Sequence, residues 1–342
     1  MHRITERVER EDGQTQMRSF YELTIAGRAR RLRRLAFNLL EHYDLEVRRL
    51  RLMSNEFNAI FRLDTAGKTP YVVRVMRPGE RTDEEINSQA IWLAELGRRG
   101  LSVSYPIPNR DGELVTREEA PGVPEPRQGM ICTWVPGVSL GHRLNPTNVA
   151  KQGELMAQMH AYAASYTLPE NFAVKVYDRV YPYTEPWILG DPAYLAPLAE
   201  AERERVRHTI PLVEAALARL SASGRRMHLL HGDLHQWNVL ICRNRVYAID
   251  FDDLLLGHPV QDIGIALFYY RLRPDYGEIL AAFREGYASV LPWPEVDADE
   301  VETWVTGRAL ALLNGCLWSQ DPDDRHYIRY CVDHLMASSS GL

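Results

Sequence analysis

Cysteine is scarce in this sequence, which has four cysteines among 342 residues. They stand at positions 132, 242, 316 and 331, so no two of them form the C-x-x-C spacing that is typical of zinc and redox centres. A chain of this length can bury enough apolar surface to fold without disulfide bonds. We therefore expect free thiols and a reducing, cytoplasmic location.

Long apolar runs and an excess of positive charge are also absent. No stretch reaches the roughly 20 apolar residues that a membrane helix needs, and the polar N-terminus has no signal-peptide core. The formal net charge is −6, with acidic and basic residues interspersed. We therefore expect neither a membrane nor a nucleic acid as a partner.

One basic cluster interrupts this even distribution of charge. It comprises Arg28, Arg30, Arg31, Arg33 and Arg34. Leucine recurs at helical spacing through the same stretch, which is typical of an amphipathic helix. We predict that the arginines form the solvent-exposed face of that helix.

Hydrophobic periodicity divides the chain into a strand-rich first part and a helix-rich second part. The first part has predicted helices at 26–42 and 82–99, strands at 46–53, 59–64, 71–76 and 129–135, and a hairpin near 112–118. After Pro136-Gly137 the pattern predicts helices at 149–166, 199–220 and 301–317 and two short strands at 238–242 and 246–249. The predicted fold class is α+β, with 1–16 as a disordered leader, 17–135 as a small antiparallel-sheet lobe and 136–342 as a larger, mainly helical lobe.

Chemistry is concentrated around the two short strands of the second part. The segment His231-Gly232-Asp233-Leu234-His235-Gln236-Trp237-Asn238 is followed by Ile249-Asp250-Phe251-Asp252-Asp253. Phosphoryl transfer from ATP needs a carboxylate that orients and deprotonates the acceptor hydroxyl, together with oxygen ligands for Mg²⁺. Asp233 fits the first role, and Asn238 with Asp250 fits the second.

These two segments resemble the aminoglycoside phosphotransferase and choline kinase superfamily, which includes homoserine kinase-type enzymes and bacterial stress-response kinases. The resemblance implies a protein-kinase-like bilobal fold and an ATP- and Mg²⁺-dependent transfer of phosphate to a hydroxyl group. It implies that Asp233 is the catalytic base and that Asn238 and Asp250 bind the metal. It also implies that Asp262, after Gly257-His258-Pro259, helps to hold the catalytic loop.

The resemblance continues into the first part of the chain, where it assigns the nucleotide-binding residues. Arg74, in Tyr71–Val75, stands where kinases have a lysine that reaches the phosphates, and Gln89 aligns with that residue's usual glutamate partner, with Glu85 as an alternative. Ser54 and Asn58 would supply donors to the phosphates from a loop without glycine. Cys132 and Trp134 lie in the segment whose backbone would bind adenine.

The acceptor is predicted to be a small molecule bound by the helical lobe. Acidic candidates for an amino sugar, an amino alcohol or a homoserine-like acceptor are Asp252, Asp253, Asp321, Asp323 and Asp324. An aromatic stretch either roofs the acceptor pocket or builds core, and consists of Tyr177, Tyr181, Tyr183 and Trp187.

Three other functions are compatible with parts of the pattern. A protein serine or threonine kinase would use the same catalytic residues. A regulatory nucleotide-binding pseudokinase is suggested by Arg74 and Gln89. A metal-dependent hydrolase would need His231, Asp233 and His235 as metal ligands, with Asp250 as a fourth. We instead expect His231 to hold the loop and His160 to be a hydrogen-bonded core residue.

Overall fold

The structure is a computed structural model that describes residues 7–9, 15–55, 57–67, 69–294, 300–319 and 325–337. The chain divides into two compact units. The first comprises Met1–Gly100 and Ser104–Val135, and the second comprises Leu101–Val103 and Pro136–Leu342. Among the helices within these ranges, none is long and apolar enough to cross a membrane.

The first unit is built around one antiparallel sheet. Its elements are β1 (Arg7–Glu9), β2 (Thr15–Met17), α1 (Ile25–Leu40), β3 (Val47–Ser54), β4 (Ala59–Thr65), β5 (Tyr71–Val75), α2 (Asp83–Arg98), β6 (Thr116–Glu118) and β7 (Arg127–Thr133). The five strands after α1 form a sheet in the order β3-β4-β5-β7-β6, and every neighbouring pair is antiparallel.

Side-chain alternation along the strands gives this sheet two different faces. On one face, Leu35 and Leu39 of α1 pack with Phe61 and Val73 in the main core of the unit. On the other face, residues of β5 and β7 pack with Ile86 and Ala90 of α2. Neighbouring residues of β5 therefore belong to different cores, so the sequence alternation directly determines which strand residues face α2.

The basic cluster in α1 is exposed at three of its five positions, and Arg28 is of intermediate exposure. Arg30, Arg33 and Arg34 are exposed as expected. Arg31 is only 8% exposed, because its guanidinium group donates hydrogen bonds to the carbonyl oxygens of Gly122 and Arg18 at 2.6 and 2.8 Å. The helical period places this residue at the border of the apolar face, where a loop carbonyl compensates its charge.

Part of the predicted leader has regular backbone structure. β1 pairs with β2 in an antiparallel ladder, with Arg7 opposite Met17 and Glu9 opposite Thr15. The other residues of 1–16 lie outside the described ranges, except Thr15 and Gln16. Disorder of the rest of this segment therefore stays a prediction.

The second unit is mainly helical, as predicted. Its elements are β8 (Val138–Ser139), α3 (Pro146–Ser165), β9 (Lys175–Val176), α4 (Glu200–Ala222), β10 (His228–Leu230), β11 (Val239–Cys242), β12 (Arg245–Ala248), β13 (Leu255–Gly257), α5 (Pro259–Phe268), α6 (Tyr276–Ala288), α7 (Glu300–Ser319) and α8 (Arg325–Ala337). Two small sheets, β12-β11-β8 and β10-β13-β9, carry the loops in which the sequence motif lies.

Helices α3 and α6 approach closely because each has a glycine at the crossing. A Cβ atom on Gly286 would lie 1.7 Å from the carbonyl oxygen of Ala150, and one on Gly153 would lie 2.2 Å from that of Phe283. Helix α7 is buried on most of its surface, with Trp304, Leu310 and Leu313 among its fully buried side chains. These helices form the scaffold on which the loops of the two small sheets rest.

Candidate active site

The loop after β10 is held in place by a buried carboxylate. Asp262, in the first turn of α5, accepts hydrogen bonds from the backbone amides of His231 and Gly232 at 3.1 and 2.9 Å. Its Oδ2 also lies 3.0 Å from Nε2 of His160. Burial opposes ionisation of Asp262, but these donors outweigh burial and lower the pKa of its carboxyl group. The geometry agrees with the loop-holding role that the resemblance implies.

The backbone at Gly232 requires glycine for two independent reasons. Its φ angle is +80°, a conformation in which a side chain is strained. A Cβ atom there would also lie 2.0 Å from the carbonyl oxygen of Asp253. Glycine at this position therefore lets the loop pass directly over the chain that follows β12.

The side chain of His231 hydrogen-bonds to two backbone groups and packs against an aromatic ring of the core. Its Nε2 donates to the carbonyl oxygen of Ile249 at 3.1 Å, and its Nδ1 accepts from the amide of Asp233 at 3.2 Å. The ring packs against Phe251, with centroids 4.2 Å apart. Burial lowers the pKa of His231, so the ring is neutral at neutral pH and serves to shape the loop.

Asp233 is the carboxylate of this loop, and four side chains contact it. Its Oδ1 accepts from Nη2 of Arg308 at 2.7 Å and from the hydroxyl of Tyr269 at 3.2 Å. Its Oδ2 accepts from Nδ2 of Asn238 at 3.1 Å and lies 3.3 Å from Nε2 of His235. Burial opposes ionisation, but the charge of Arg308 and the hydrogen bond from His235 outweigh it, so the pKa of Asp233 lies below its usual value.

A second carboxylate shares the same guanidinium group. Oδ2 of Asp253 lies 3.7 Å from Nη2 of Arg308. Burial and then the neighbouring charge of Asp233 raise the pKa of Asp253 to about 6. The site therefore holds two carboxylates around one guanidinium group.

Asn238 and Asp250, the predicted metal ligands, are brought together by the β11–β12 hairpin. The amide of Ile249 donates to the carbonyl oxygen of Asn238 at 3.0 Å, and Asp250 follows directly. Asn238 turns its amide nitrogen towards Asp233, so its side-chain oxygen points elsewhere. Asp250 is exposed and has a φ of +63°, which Asp tolerates better than most residues. One amide oxygen and one exposed carboxylate fit the hard-oxygen preference of Mg²⁺.

The histidines of the motif do not support the alternative of a transition-metal site. Both ring nitrogens of His231 bind the backbone, as described above. In His235, Nδ1 accepts from the amide of Trp237 at 3.1 Å while Nε2 faces Asp233. Within the described ranges, no three His, Cys, Asp or Glu side chains form a group that could hold a metal ion.

In the first unit, Arg74 and Cys132 belong to the face of the sheet that packs against α2, and Gln89 belongs to α2 itself. Arg74 on β5 follows Val72 by two residues, and Val72 stands opposite Cys132 on β7. Val72 and Cys132 pack in the core under α2, and Gln89 is a buried residue of that helix. Arg74 therefore points to the α2 face of the sheet.

Gln89 has a hydrogen-bond partner that the sequence did not predict. Its side-chain oxygen accepts a hydrogen bond from Nη1 of Arg81 at 3.0 Å, a residue that the motif did not indicate. Glu85 closes a capping box with Thr82 at the start of α2, in which its Oε2 accepts from the amide of Thr82 at 2.9 Å. The predicted contact between Arg74 and Gln89 stays a prediction.

The remaining predicted residues of this unit are placed as follows. Ser54 is the exposed last residue of β3. Asn58 directly precedes β4 and accepts from the amide of Arg77 at 2.9 Å, which ties the β3–β4 turn to the chain after β5. Trp134 is half-buried, with the guanidinium carbon of Arg62 4.6 Å from its ring centre. Glu56, within the predicted phosphate loop, lies outside the described residues.

Arg308 and Tyr269 contact Asp233 but were not predicted from the sequence. Arg308 is 4% exposed in the middle of α7. The sequence did indicate that Arg308 is buried. It shares the i, i+3, i+4, i+7 spacing of the buried residues Val301, Trp304 and Val305. An arginine on an apolar helix face needs a buried partner for its charge, and Asp233 is that partner.

The aromatic stretch after β9 is divided between core and site. Tyr177 is buried against Trp304, with ring centres 5.9 Å apart. The hydroxyl of Tyr183 accepts from Nη1 of Arg308 at 2.5 Å, which connects it to the Asp233 group. Trp187 is partly exposed. The acidic candidates Asp321, Asp323 and Asp324 lie outside the described residues.

Comparison with known proteins supports the assignment that the motif suggests. Residues 49–297 match the model of the phosphotransferase enzyme family. The amicoumacin kinase of Bacillus subtilis strain 168 is 25% identical over 244 residues, which cover 67% of this chain and 67% of that protein.

Solved structures give the same fold. A microcompartment-associated aminopropanol kinase is similar with a TM-score of 0.71 and 24% identity, over 88% of this chain and 93% of the other. The amicoumacin kinase hAmiN, in complex with AMP-PNP, Ca²⁺ and Ami, has a TM-score of 0.69 and 16% identity, over 88% and 92% of the two chains. The predicted fold class and enzyme class are thereby confirmed: the chain belongs to the phosphotransferase enzyme family, whose members transfer phosphate to hydroxyl groups.

Proposed function

We propose that this kinase transfers the γ-phosphoryl group of ATP to a hydroxyl group of a small molecule that also carries an amino group. The observation that carries this proposal is the paired geometry of Asp233 and Asn238. The amide nitrogen of Asn238 donates to the carboxylate of Asp233, so the same side chain orients the base and presents its oxygen to a metal.

The division of work among the residues follows from their chemistry. Asp233 orients the acceptor hydroxyl and receives its proton, which is the main task of a protein carboxylate in a phosphoryl transfer with a loose transition state. Arg74 holds the phosphates through its planar, permanently charged group. Asn238 and Asp250 would hold Mg²⁺, which would supply positive charge to offset that of the phosphates.

An amine on the acceptor is supported by the charge of the site. Two carboxylates, Asp233 and Asp253, face one guanidinium group, and Asp253 retains partial exposure of its side chain. Carboxylates that outnumber the guanidinium group beside them attract a cation and disfavour an anion. One kinase of similar fold is named for aminopropanol, an amine-bearing alcohol.

A screen of ADP release tests this function. The acceptors are amino alcohols, amino sugars, homoserine, neutral sugars and a model protein, and Asp233→Asn serves as the blank. We expect release with an amine-bearing alcohol in the wild type and its loss in the variant, while the variant still binds ATP. An N-acetylated form of the same acceptor is the matched control for the amine, and equal turnover of the two forms would refute the charge argument.

The metal assignment has its own variant in the same assay. Asp250→Asn keeps a residue that tolerates positive φ but removes the negative charge. We expect this variant to need a higher Mg²⁺ concentration for half-maximal ADP release. Release from the wild type that does not respond to Asp233→Asn would exclude the proposed base, and tight ATP binding without any turnover would favour the regulatory alternative.

A further inference from the structure

Arg308 has a position that the proposed reaction does not yet explain. It is a nearly inaccessible arginine on a long helix, and its guanidinium group contacts three different parts of the second unit. Nη2 lies 2.7 Å from Oδ1 of Asp233 and 3.7 Å from Oδ2 of Asp253, while Nη1 donates to Tyr183 at 2.5 Å. A buried charge is costly unless it is well paired, so these contacts define where the group can lie.

The hydrogen bonds of Asp233 are unevenly distributed between its two oxygens. An ionised carboxylate has about four acceptor positions, and four donors contact this one. Oδ1 receives the short, charge-assisted bond from Arg308 and a bond from Tyr269. Oδ2 is contacted by Asn238 at 3.1 Å and His235 at 3.3 Å, both longer than the 2.7 Å bond from Arg308. Charge-assisted bonds are roughly twice as strong as neutral ones, so Oδ2 is the oxygen whose donors are more easily displaced.

We propose that Arg308 is a positioning residue that anchors Oδ1 of Asp233 and thereby leaves Oδ2 as the oxygen that meets the acceptor hydroxyl. The hydroxyl takes the place of the contact from His235, the longest of the four, and its proton passes to Oδ2. This inference rests on the proposed function only in that Asp233 is the base.

Arg308→Met and Arg308→Lys test this role. In Arg308→Met we expect kcat at neutral pH to fall at least about 100-fold with less change in KM for ATP. In Arg308→Lys we expect a smaller fall in kcat, because one ammonium group keeps a charge near Asp233 but cannot replace the planar fork.

A matched control involves a partner on the same helix. Arg271, which follows α5, forms an ion pair with Glu302 of α7 at 2.6 Å, and both side chains are largely buried. Arg271→Met removes a comparable pair that does not touch Asp233. We expect this variant to lose stability while kcat and KM for ATP stay close to those of the wild type.

Carboxyl NMR of protein labelled at aspartate separates this inference from the proposed function. The Asp233 signal, assigned by its loss in Asp233→Asn, should differ in chemical shift at neutral pH between Arg308→Met and the wild type and keep its position in Arg271→Met, whether or not an acceptor is known. An unchanged Asp233 signal in folded Arg308→Met overturns the inference. If that variant does not fold, Arg308→Lys decides, and a kcat equal to that of the wild type overturns it. Absence of ADP release from the wild type would instead count against the proposed function.

Discussion

Nε2 of His160 on α3 lies 3.0 Å from Oδ2 of Asp262 on α5, and both side chains are almost completely buried. The other ring nitrogen of His160 lies 3.0 Å from the hydroxyl of Tyr287 on α6. Three helices therefore meet at one imidazole, and the same carboxylate holds the amides of the catalytic loop. Support for the loop thus comes from the core as well as from the loop's own residues.

Asp262→Asn should destabilise the protein by about 3–5 kcal/mol, because it leaves buried donors without a charged acceptor. The pKa of Asp262 is lowered in the folded state, so its contribution is present above the pKa of the unfolded chain and is lost as pH falls through the folded pKa. Urea unfolding should therefore show a constant deficit between pH 6 and 8 that shrinks below about pH 4. Asp178→Asn, at an exposed pair with Arg179, is the control and should cost less than about 1 kcal/mol.

Gly232→Ala should cost more than a positive-φ glycine normally does. Gly79 has nearly the same φ, +81° against +80°, but nothing lies within 4 Å of its added Cβ atom. Gly79→Ala should therefore report the backbone strain alone, about 1–2 kcal/mol. Gly232→Ala should add about 1–3 kcal/mol for the overlap with Asp253 and should abolish activity. Equal losses of unfolding free energy in the two variants would show that the chain after β12 moves aside freely.

The crossing of α3 and α6 offers a comparison within one helix. Gly286→Ala should destabilise the protein by about 1–3 kcal/mol, because its Cβ atom would overlap the backbone of Ala150. Gly277→Ala, in the first turn of α6 with nothing within 4 Å, should instead stabilise it by a few tenths to about 1 kcal/mol. Thermal unfolding of both variants measures the difference, and a shift of the same sign in both would contradict the close approach.

Local patterns predicted most of the secondary structure because each element is amphipathic with its own period. The strands at β4 and β5 and the helices α2, α3 and α7 lie within a few residues of their predicted ranges. The motif likewise predicted Asp233 and Asn238 as neighbours, because they are only five positions apart in one loop. These features depend on residues that are close in the sequence.

Features that depend on distant residues were missed. Arg308 lies 75 residues from Asp233, and Arg31 lies 91 residues from Gly122. In each case composition favours an exposed arginine, and only the folded chain supplies a buried acceptor. Arg81 was missed for another reason, since a neutral glutamine accepts from any nearby donor and the spacing does not single one out.

Gln152 on α3 shows how an irregular segment can be rigid. Its amide nitrogen donates to the carbonyl oxygen of Leu234 at 2.7 Å, and its amide oxygen accepts from the hydroxyl of Tyr270 at 2.8 Å. Since both ends of the side chain are occupied, neither glutamate nor methionine could replace it without leaving a buried polar group unsatisfied. A stretch of chain that lacks helical or strand geometry is thereby made part of the same cooperative folding unit as the helices beneath it.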